Sequence, residues 1–549
     1  MSASMIAAVS WVPRGAANPV PLKAEPPGED EIEALKSADD LEVHRSSDAE
    51  DDLFEEDGDE EMGAEKLPDQ IAQAMAAAQA LRGSEGRAKG VDSLVDELAE
   101  LDMDHYDDEE EGGEEGIQLF GNGGVGAAYY GSNAEDPYLL NKEDDDDDEE
   151  IEDMTIKETD LLLITARTED DVSHLEVWVY ETGTGGGAGD ASDNMYVHHD
   201  VMLPAFPLSL AWLDCGPIGK EKGNFVAVGT MQPEIEIWDL DVIDDVEPAA
   251  MLGGPVVSRL EQEIKKKKSK KKKKKEKKIK LKEGSHTDAV LGLAWNLEFR
   301  NVIASASADH SVKIWDVVTQ KCQHTVHSHN DKVQAVAWNK KQPTVLLSGS
   351  FDRTVAIVDG RAPDQNAIWW GVGADVESLA WDPHTEHIFV VSLEDGTVCA
   401  HDIRNVGSVT RPPPGTVSKS LYTIHAHEKA VCSISFNPVA PNLLATTSTD
   451  KMVKLWDLTD NRPSCIASKN PKVGAIFSSA FCNDLPFLLA VGGSKGILQV
   501  WNTLEITEVA NRFGSFASVQ FDVTVQLTCG EAFEHWPTQD NVVRQKTGR

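Results

Sequence analysis

The sequence predicts an all-β protein, a seven-bladed β-propeller that follows a long acidic N-terminal tail. Three observations lead to this prediction. A fixed frame of histidine, aromatic, aspartate and tryptophan positions recurs along the chain, its anchor aromatics are spaced by 43, 43, 55 and 45 residues, and the acidic residues are concentrated before residue 160. A constant frame with variable joints is typical of repeated small sheets, because turns within a sheet fix the register whereas links between sheets tolerate insertions.

The frame is clearest in the stretch SHTDAVLGLAWNLEFRNVIASASADHSVKIWDV. Its anchor is Trp295, with His286 nine residues before it, Asp309 fourteen after it and Trp315 twenty after it. Short β-type runs lie between these positions, separated by polar turns. Four later units repeat the frame in the same order of positions: His329, Trp338, Asp352 and Val358; Trp381, Asp395 and His401, without the first histidine; His427, Phe436, Asp450 and Trp456; and Lys472, Phe481, Lys495 and Trp501.

Two less regular units precede these five. Residues 160–181 predict two strands ending at Trp178, and a second unit ends at Trp238 with about six residues inserted near 217–222. Seven units predict a closed ring, because stacking small sheets around an axis buries both of their faces. Ring closure commonly takes one strand from the far end of the chain. Residues 137–140, 154–156 and 516–527 are alternative candidates for that strand.

The Trp-Asp pairs at 315–316 and 456–457, together with the frame around them, resemble the WD-repeat family. The resemblance implies that the turn aspartate fixes the histidine, while a hydroxyl such as that of Ser305 or Ser307 and the indole N–H complete a buried network. A catalytic site would occur once, whereas this combination recurs in several units, so the predicted role is structural. The predicted network comprises His286, Asp309, Trp315, His329, Asp352, Asp395, His427, Asp450 and Trp456.

Charge divides the chain into four predicted regions. Residues 1–160 contain 48 acidic and 10 basic side chains, a net charge of −38 out of −45 for the whole chain. Residues 1–115 are predicted to be an acidic disordered tail with short helical segments at 71–81 and 91–101, and residues 116–150 an aromatic and acidic linear segment. The propeller is predicted at 151–505 and a C-terminal tail at 506–549. Ser46 and Ser47 precede acidic residues and are candidates for phosphorylation.

A lysine-rich insertion is predicted between two blades, at 241–284. Residues 265–282 contain 14 lysines and one glutamate. Such a run serves as a nuclear address or as a phosphate-binding arm, and the alternative is a solvated arm that neutralises the acidic tail. Aromatic residues are absent from the run, so base stacking is not indicated. The candidate residues are Lys265, Lys266, Lys267, Lys268, Lys270, Lys271, Lys272, Lys273, Lys274, Lys275, Lys277 and Lys278.

The sequence indicates neither an enzyme nor a cofactor or metal site. The chain has no nucleophile elbow and no Walker loop, and its acidic clusters lack the glycine-punctuated alternation of a calcium loop. Seven single cysteines without a Cys-x-x-Cys pair favour free thiols in a reducing compartment. Apolar runs of membrane-spanning length and a secretory leader are also absent from the pattern, so no membrane association is expected.

Several stretches outside the repeat frame resemble the periodic tryptophan protein family. They are VSWVPRG at 9–15, AYYGSNAEDPYL at 128–139, TEDDVSHLEVWVYE at 168–181, YVHHDVMLPAFPL at 196–208 and the segment 224–254, with the lysine-rich insertion after it. The resemblance implies a scaffold of ribosome biogenesis in the nucleus and nucleolus that associates with large-subunit precursors and supports ribosomal RNA processing. Its expected partners are pre-ribosomal particles, ribosomal proteins, assembly factors and ribosomal RNA.

Two other functions remain open from the sequence. Some members of the resembled family are linked to chromatin and to transcription of ribosomal genes, and the acidic tail suits histones, so a histone-binding regulator is one alternative. The other is a substrate receptor for a ubiquitin ligase. It rests on Asp359-Gly360-Arg361 and Asp402-Ile403-Arg404, which resemble the Asp-x-Arg boxes of propeller adaptors, although the arginines would equally cap a blade edge.

Overall fold

Seven small antiparallel sheets stand around one axis in the computed structural model, which describes residues 4–24, 154–183, 193–217, 222–256, 280–363, 367–405, 410–413 and 415–517. The inner strand of each sheet lies against the inner strand of the next, and the last inner strand lies against the first. The predicted seven-bladed β-propeller is therefore confirmed, and its ring is closed.

We number the strands in chain order and give each blade from its inner to its outer strand. Blade 1 contains β1 (Ser4–Val12), β3 (Leu161–Glu169), β4 (Val172–Glu181) and β5 (Asn194–Leu203); blade 2, β6 (Pro207–Leu213), β7 (Phe225–Thr230), β8 (Ile235–Asp239) and β10 (Ala250–Leu252); blade 3, β11 (Val290–Trp295), β12 (Val302–Ser307), β13 (Val312–Asp316) and β14 (Lys321–Val326); blade 4, β15 (Val333–Trp338), β16 (Val345–Ser350), β17 (Thr354–Asp359) and β18 (Ile368–Gly371).

The remaining elements complete the ring and its edges. Blade 5 contains β19 (Val376–Trp381), β20 (Ile388–Leu393), β21 (Thr397–Asp402) and β22 (Tyr422–His425); blade 6, β23 (Ser433–Phe436), β24 (Leu443–Thr447), β25 (Val453–Asp457) and β26 (Ser464–Lys469); blade 7, β27 (Ile476–Phe481), β28 (Leu488–Gly493) and β29 (Leu498–Asn502). The short strands β2 (Leu22–Lys23) and β9 (Val242–Ile243) form a parallel pair, and helix α1 spans Thr507–Phe513. Single 3-10 turns lie at Thr459–Asn461, Thr503–Glu505 and Gly514–Phe516.

The apolar core is divided among the contacts between neighbouring blades. One cluster, for example, joins Val302, Ala304 and Ile314 of blade 3 to Val336 and Leu346 of blade 4. The middle strands are covered on both faces, so β12 is buried throughout its length and reads as a continuous run of small and apolar residues. A blade is thus stable only between two neighbours.

The ring is closed by β1, which none of the three sequence candidates included. β1 is the inner strand of blade 1 and pairs with β3 although about 150 residues separate them in the chain. It carries a register shift between Ile6 and Ala8, near its start, as other inner strands do. Residues 154–156 form no strand, and Ile156 instead donates its backbone N–H to the carbonyl of Pro19 at 2.8 Å. The prediction that residues 1–115 form a tail is therefore wrong for Ser4–Val12.

The first and last blades are joined directly. Val9 donates its backbone N–H to Ser478 Oγ at 3.1 Å, and the indole of Trp11 donates to the carbonyl of Ala480 at 2.9 Å. Gly492 on β28 is required for this approach, because a Cβ there would lie 2.6 Å from Ile6 Cγ2. The N-terminal strand consequently holds the two ends of the ring together.

The predicted C-terminal tail begins later than residue 506. Helix α1 packs Val509 and Phe513 into the core shared by blades 6 and 7, against residues that include Val473 and Trp501. Among the described residues blade 7 has three strands, and the helix contributes apolar side chains beside its neighbour β26. The first part of the region assigned to the tail is thus part of the folded body.

The lysine-rich insertion also has a narrower extent than 241–284. Val242–Ile243 pairs with β2 and Ala250–Leu252 forms the outer strand of blade 2, so these residues belong to the propeller. Val256 donates its N–H to the carbonyl of Lys280 at 2.9 Å, and Lys282 donates to the carbonyl of Gly254 at 2.8 Å. The two ends of segment 257–279 are therefore held side by side between blades 2 and 3.

Several predictions concern residues outside the described part of the chain. They are the phosphorylation candidates Ser46 and Ser47, the helical segments at 71–81 and 91–101, the linear segment 116–150, and the lysines from Lys265 to Lys278. Within the described part, no helix has the length and apolar character needed to cross a bilayer. The described His, Cys, Asp and Glu side chains form no group of three suited to a metal ion.

Candidate functional site

The polar network of blade 3 is the most complete of the predicted sites. His286 lies in the loop before β11, and Asp309 lies in the turn between β12 and β13. The Nδ1 atom of His286 is 2.9 Å from Asp309 Oδ2, and its Nε2 atom is 2.7 Å from Ser305 Oγ. The indole of Trp315 donates to the same Ser305 oxygen at 2.8 Å. The structure therefore brings the loop, the turn and two strands together through one chain of hydrogen bonds.

Burial and hydrogen bonding fix the charges in this network. Burial lowers the pKa of His286 despite its aspartate partner, so the ring is neutral, donates from Nδ1 to Asp309 and accepts at Nε2 from the Ser305 hydroxyl. Burial opposes ionisation of Asp309. Hydrogen bonds from His286, Ser311 and the backbone of Thr287 outweigh burial and hold the pKa of Asp309 well below its usual range. The Asp309 carboxylate consequently stays ionised and accepts hydrogen bonds from the loop before β11 and from its own turn.

Blade 6 repeats the arrangement with threonine in place of serine. His427 Nδ1 is 2.8 Å from Asp450 Oδ2, and its Nε2 is 2.9 Å from Thr446 Oγ1. The indole of Trp456 donates to Thr446 Oγ1 at 2.9 Å. Burial again lowers the pKa of His427, which favours the neutral ring.

Blade 4 keeps the histidine and aspartate but has Val358 in the tryptophan position. His329 Nδ1 is 3.1 Å from Asp352 Oδ2, and its Nε2 is 2.9 Å from Ser348 Oγ. An arginine and a second tryptophan complete this network. Arg411, from the loop between β21 and β22, pairs with Asp352 and lies 5.4 Å from the ring centre of Trp369, which packs edge-on against His329. Sequence reasoning missed Arg411, because its loop belongs to the next blade.

Blade 5 contains the turn aspartate without the rest of the network. Asp395 accepts from the backbone and hydroxyl of Thr397 at 2.9 and 2.6 Å, contacts that are local to its own turn. His401 occupies the tryptophan position and is stacked on Phe389, with ring centres 5.4 Å apart. Neither ring nitrogen of His401 makes a hydrogen bond of ordinary geometry among the described residues, and only the backbone of Lys419 lies close enough to oppose the effect of burial on its pKa. This blade is therefore held by apolar packing.

The Ser-His-Asp order in blades 3 and 4 has the connectivity of a hydrolase triad but not its accessibility. Ser305 and Ser348 are buried, and the Ser305 oxygen already accepts from an indole. A substrate carbonyl has no path to either hydroxyl in this packing. The arrangement ties the turn of a blade to its strands.

A second set of periodic residues lies at the opposite end of the inner strands. Every inner strand carries an aromatic residue at or next to its end: Trp11, Trp212, Trp295, Trp338, Trp381, Phe436 and Phe481. The indole of Trp338 donates to the carbonyl of Ala294 and that of Trp381 to the carbonyl of Ala337, both at 3.1 Å. Each of these tryptophans thereby bonds to the inner strand of the preceding blade.

Trp11 makes the same bond across the closure and was missed as the seventh member of the series. Its stretch AVSW matches the ends of other inner strands, such as VQAVAW and VESLAW, and this likeness was the available signal. The asparagine after some anchors makes a matching bond in the other direction. The side-chain amides of Asn296, Asn339 and Asn437 donate to carbonyls of the following blade at 2.6–2.7 Å.

The two Asp-x-Arg segments form closed pairs within their own turns. Arg361 donates from Nε and Nη2 to the carboxylate of Asp359 at 3.0 and 2.7 Å. Arg404 contacts Asp402 in the same way. Both arginine side chains are more than half exposed, so this pairing is compatible with a blade-edge cap and with a ligase-binding motif alike.

The sequence comparisons agree with this architecture. The WD domain, G-beta repeat family matches residues 277–316, 320–359 and 418–457. An uncharacterised WD repeat-containing protein of Schizosaccharomyces pombe is 40% identical over 520 residues, which cover 93% of this chain and 91% of that protein. Periodic tryptophan protein 1 of Saccharomyces cerevisiae is 33% identical over 557 residues, with 93% and 90% coverage. The periodic tryptophan protein 1 homolog of Drosophila melanogaster is 27% identical over 364 residues, with 65% and 71% coverage. The seven-bladed ring, its periodic aromatic residues and the near full-length identity show that the chain belongs to the periodic tryptophan protein 1 family of WD-repeat proteins.

Proposed function

We propose that the protein is a non-enzymatic scaffold of ribosome biogenesis in the nucleolus, where it associates with large-subunit precursors and supports ribosomal RNA processing. The observation that carries this proposal is the likeness to Periodic tryptophan protein 1 over 93% of the chain, well beyond the repeat frame. The role itself comes from the family resemblance of the sequence. The fold supports it, because a closed propeller presents many loops on a rigid body.

The lysine-rich segment gives the scaffold a means of holding RNA. Val256 and Lys280 are paired at its base, so the lysines Lys265 to Lys278 are attached to the ring at one point, between blades 2 and 3. A dense cationic run binds phosphates without reading sequence, and its affinity falls steeply with salt. The same run is suited to nuclear import.

Depletion of the protein tests the proposed role. We expect the protein to co-sediment with large-subunit precursors and unprocessed ribosomal RNA to accumulate after depletion, as measured by gradient fractionation and hybridisation to precursor spacers. A normal precursor profile in depleted cells would contradict the proposal.

Crosslinking in cells separates the two roles of the lysine-rich segment. The protein with and without residues 257–279 is compared, each fused to an independent nuclear import signal so that localisation is equal. Loss of RNA crosslinks without the segment supports RNA binding by the arm, whereas unchanged crosslinks assign RNA contact to the ring and leave import as the role of the arm.

A histone-binding regulator of ribosomal gene transcription is the second candidate. It is favoured by the 48 acidic side chains in residues 1–160, since a strongly acidic segment suits basic partners. Capture of histones from nuclease-treated extract would support it if the capture is lost on deletion of residues 28–143, which leaves β1 in place. Capture of ribosomal proteins in place of histones by the same segment would support the role in ribosome assembly and contradict the histone-binding role.

A further inference from the structure

A cavity of about 360 Å³ opens where the inner strands end, at the centre of the ring. Five blades contribute to it, and its rim includes the anchor aromatics Trp11, Trp338, Trp381, Phe436 and Phe481. The volume is within the range of sites for small ligands and short peptide segments, roughly 300–1,000 Å³. The cavity is therefore large enough for a few side chains but not for a folded domain.

Lys340 is the one charged side chain among the described residues that line this cavity. It follows Trp338 by two residues and is exposed to the solvent of the opening. Protein surrounds it on several sides, however, so desolvation lowers the pKa of its amine, and no carboxylate counteracts this. Both the exposure of Lys340 and the lowered pKa of its amine are explained if the side chain reaches solvent from within the cavity.

The position of Lys340 is fixed by its neighbour. Asn339 donates its side-chain amide to the carbonyl of Glu386 at 2.7 Å, while its Oδ1 accepts the backbone N–H groups of Lys341 and Gln342 at 2.9 and 3.0 Å. These bonds anchor the turn on both sides of Lys340. The cation is thus held at the cavity by a preorganised backbone, which lowers the entropy cost of binding.

Three arginines near this end of the blades are already paired. Arg300 contacts Asp214 at 2.7 Å, Arg361 contacts Asp359 at 2.7 Å, and Arg512 contacts Asp457 at 2.6 Å. Lys340 has no such carboxylate among the residues that line its cavity. Because Lys340 is exposed and has no carboxylate beside it among the described residues of the cavity, it is free to pair with an anionic ligand that enters.

We propose that the central cavity is a docking site for an acidic peptide segment of a partner protein, whose carboxylate pairs with Lys340. One carboxylate of a peptide side chain matches the one cation that lines the cavity among the described residues. RNA fits less well, because its phosphates repeat along the strand without a second cation in the cavity, and Trp11, Trp338 and Trp381 are buried too deeply to stack with bases. The site is independent of the proposed ribosomal role, since any acidic partner would satisfy it.

Trace acetylation of the purified full chain, read by mass spectrometry at each lysine, tests the proposal. Hexaglutamate is the probe and hexaglutamine the uncharged control. We expect hexaglutamate to slow acetylation of Lys340 by about tenfold at saturation, because an ion-paired amine is no longer free to react. Lys341 is the matched internal control, since it is exposed and lies outside the cavity lining. Its labelling should not change.

Site-by-site detection keeps binding to the lysine-rich segment from masking the result. Equal protection of Lys340 and Lys341, or protection by hexaglutamine, would overturn the proposal. So would protection by oligouridylate in the absence of any effect of hexaglutamate, which would assign the cavity to a nucleic-acid phosphate. Lys340→Gln, compared with Lys341→Gln, provides a second measurement in protein that lacks residues 257–279, so that the lysine-rich segment does not dominate the binding. Only the first variant should weaken capture of this protein on a hexaglutamate surface, and thermal unfolding verifies that both variants are folded.

Discussion

Blades 3 and 5 share one strand order and the same register of inner to second strand, but different interactions hold them together. In blade 3 a neutral histidine, an ionised aspartate, a serine and a tryptophan form a buried chain of hydrogen bonds. In blade 5 the aspartate bonds only within its turn, and the ring of His401 is stacked on Phe389. The same backbone therefore tolerates either a polar or an apolar connection, provided that the polar one is complete.

Breaking the network of blade 3 should have the largest effect. His286→Ala removes the partner of a buried carboxylate and leaves the Ser305 hydroxyl without its acceptor. We expect the free energy of unfolding to fall by about 3–5 kcal/mol. Denaturant unfolding followed by tryptophan fluorescence measures the loss, and hydrogen exchange should locate it in blade 3. Asp395→Ala in blade 5 is the control and should cost only about 1 kcal/mol.

Protonation of His401 at acidic pH should cause the next largest change in the free energy of unfolding. Burial lowers the pKa of His401 from 6.5 to about 4, so the folded state binds fewer protons than the unfolded state between these values. Stability should therefore be complete above about pH 6.5 and fall as the pH decreases towards 4, by up to about 3 kcal/mol.

The control for this titration is His401→Phe, measured by urea unfolding over the same pH range. Burial also lowers the pKa of His199 to about 4 and lowers the pKa values of His286 and His427, so the parent protein has other groups that titrate below the usual histidine range. The difference between parent and variant isolates His401. Identical pH profiles for the two proteins would show that His401 does not titrate in this way.

His401→Phe should also raise stability at neutral pH. The ring nitrogens of His401 are buried, and the backbone of Lys419 is their one weak polar neighbour among the described residues. Phenylalanine preserves the stacking on Phe389 and removes these poorly satisfied groups. We expect a gain of about 1–2 kcal/mol in the free energy of unfolding. Trp315→Phe in blade 3 is the matched change, and it should destabilise because it removes the indole that donates to Ser305. A loss of stability in both variants would indicate that His401 has a polar partner.

The contrast between the blades also shows what sequence can reveal. Offsets within one blade are local, so the spacing marked His286, Asp309 and Trp315 as recurring positions, and the WD-repeat resemblance implied that a hydroxyl joins them in one network. Trp11 and β1 are joined to their blade across about 150 residues, and a search for regular spacing does not detect such a pairing. The position of Lys340 at the central cavity could not be predicted for the same reason, since residues from five blades that are distant in sequence line that cavity.

Arg411 offers the finest test of the comparison, because it connects the two kinds of blade. It extends from the loop between β21 and β22 of blade 5 to Asp352 of blade 4 and lies over Trp369. Blade 4 has Val358 in place of the tryptophan of its frame, so Arg411 and Trp369 complete its network instead. Arg411→Ala should cost about 1 kcal/mol, since the guanidinium is partly solvated and His329 still satisfies Asp352. Hydrogen exchange should increase at the turn between β16 and β17, where Asp352 lies, and remain unchanged in blade 3. Arg411→Lys keeps the charge but loses the planar stacking, so an intermediate loss is expected. Stability equal to the parent in both variants would mean that His329 and Trp369 alone replace the missing tryptophan.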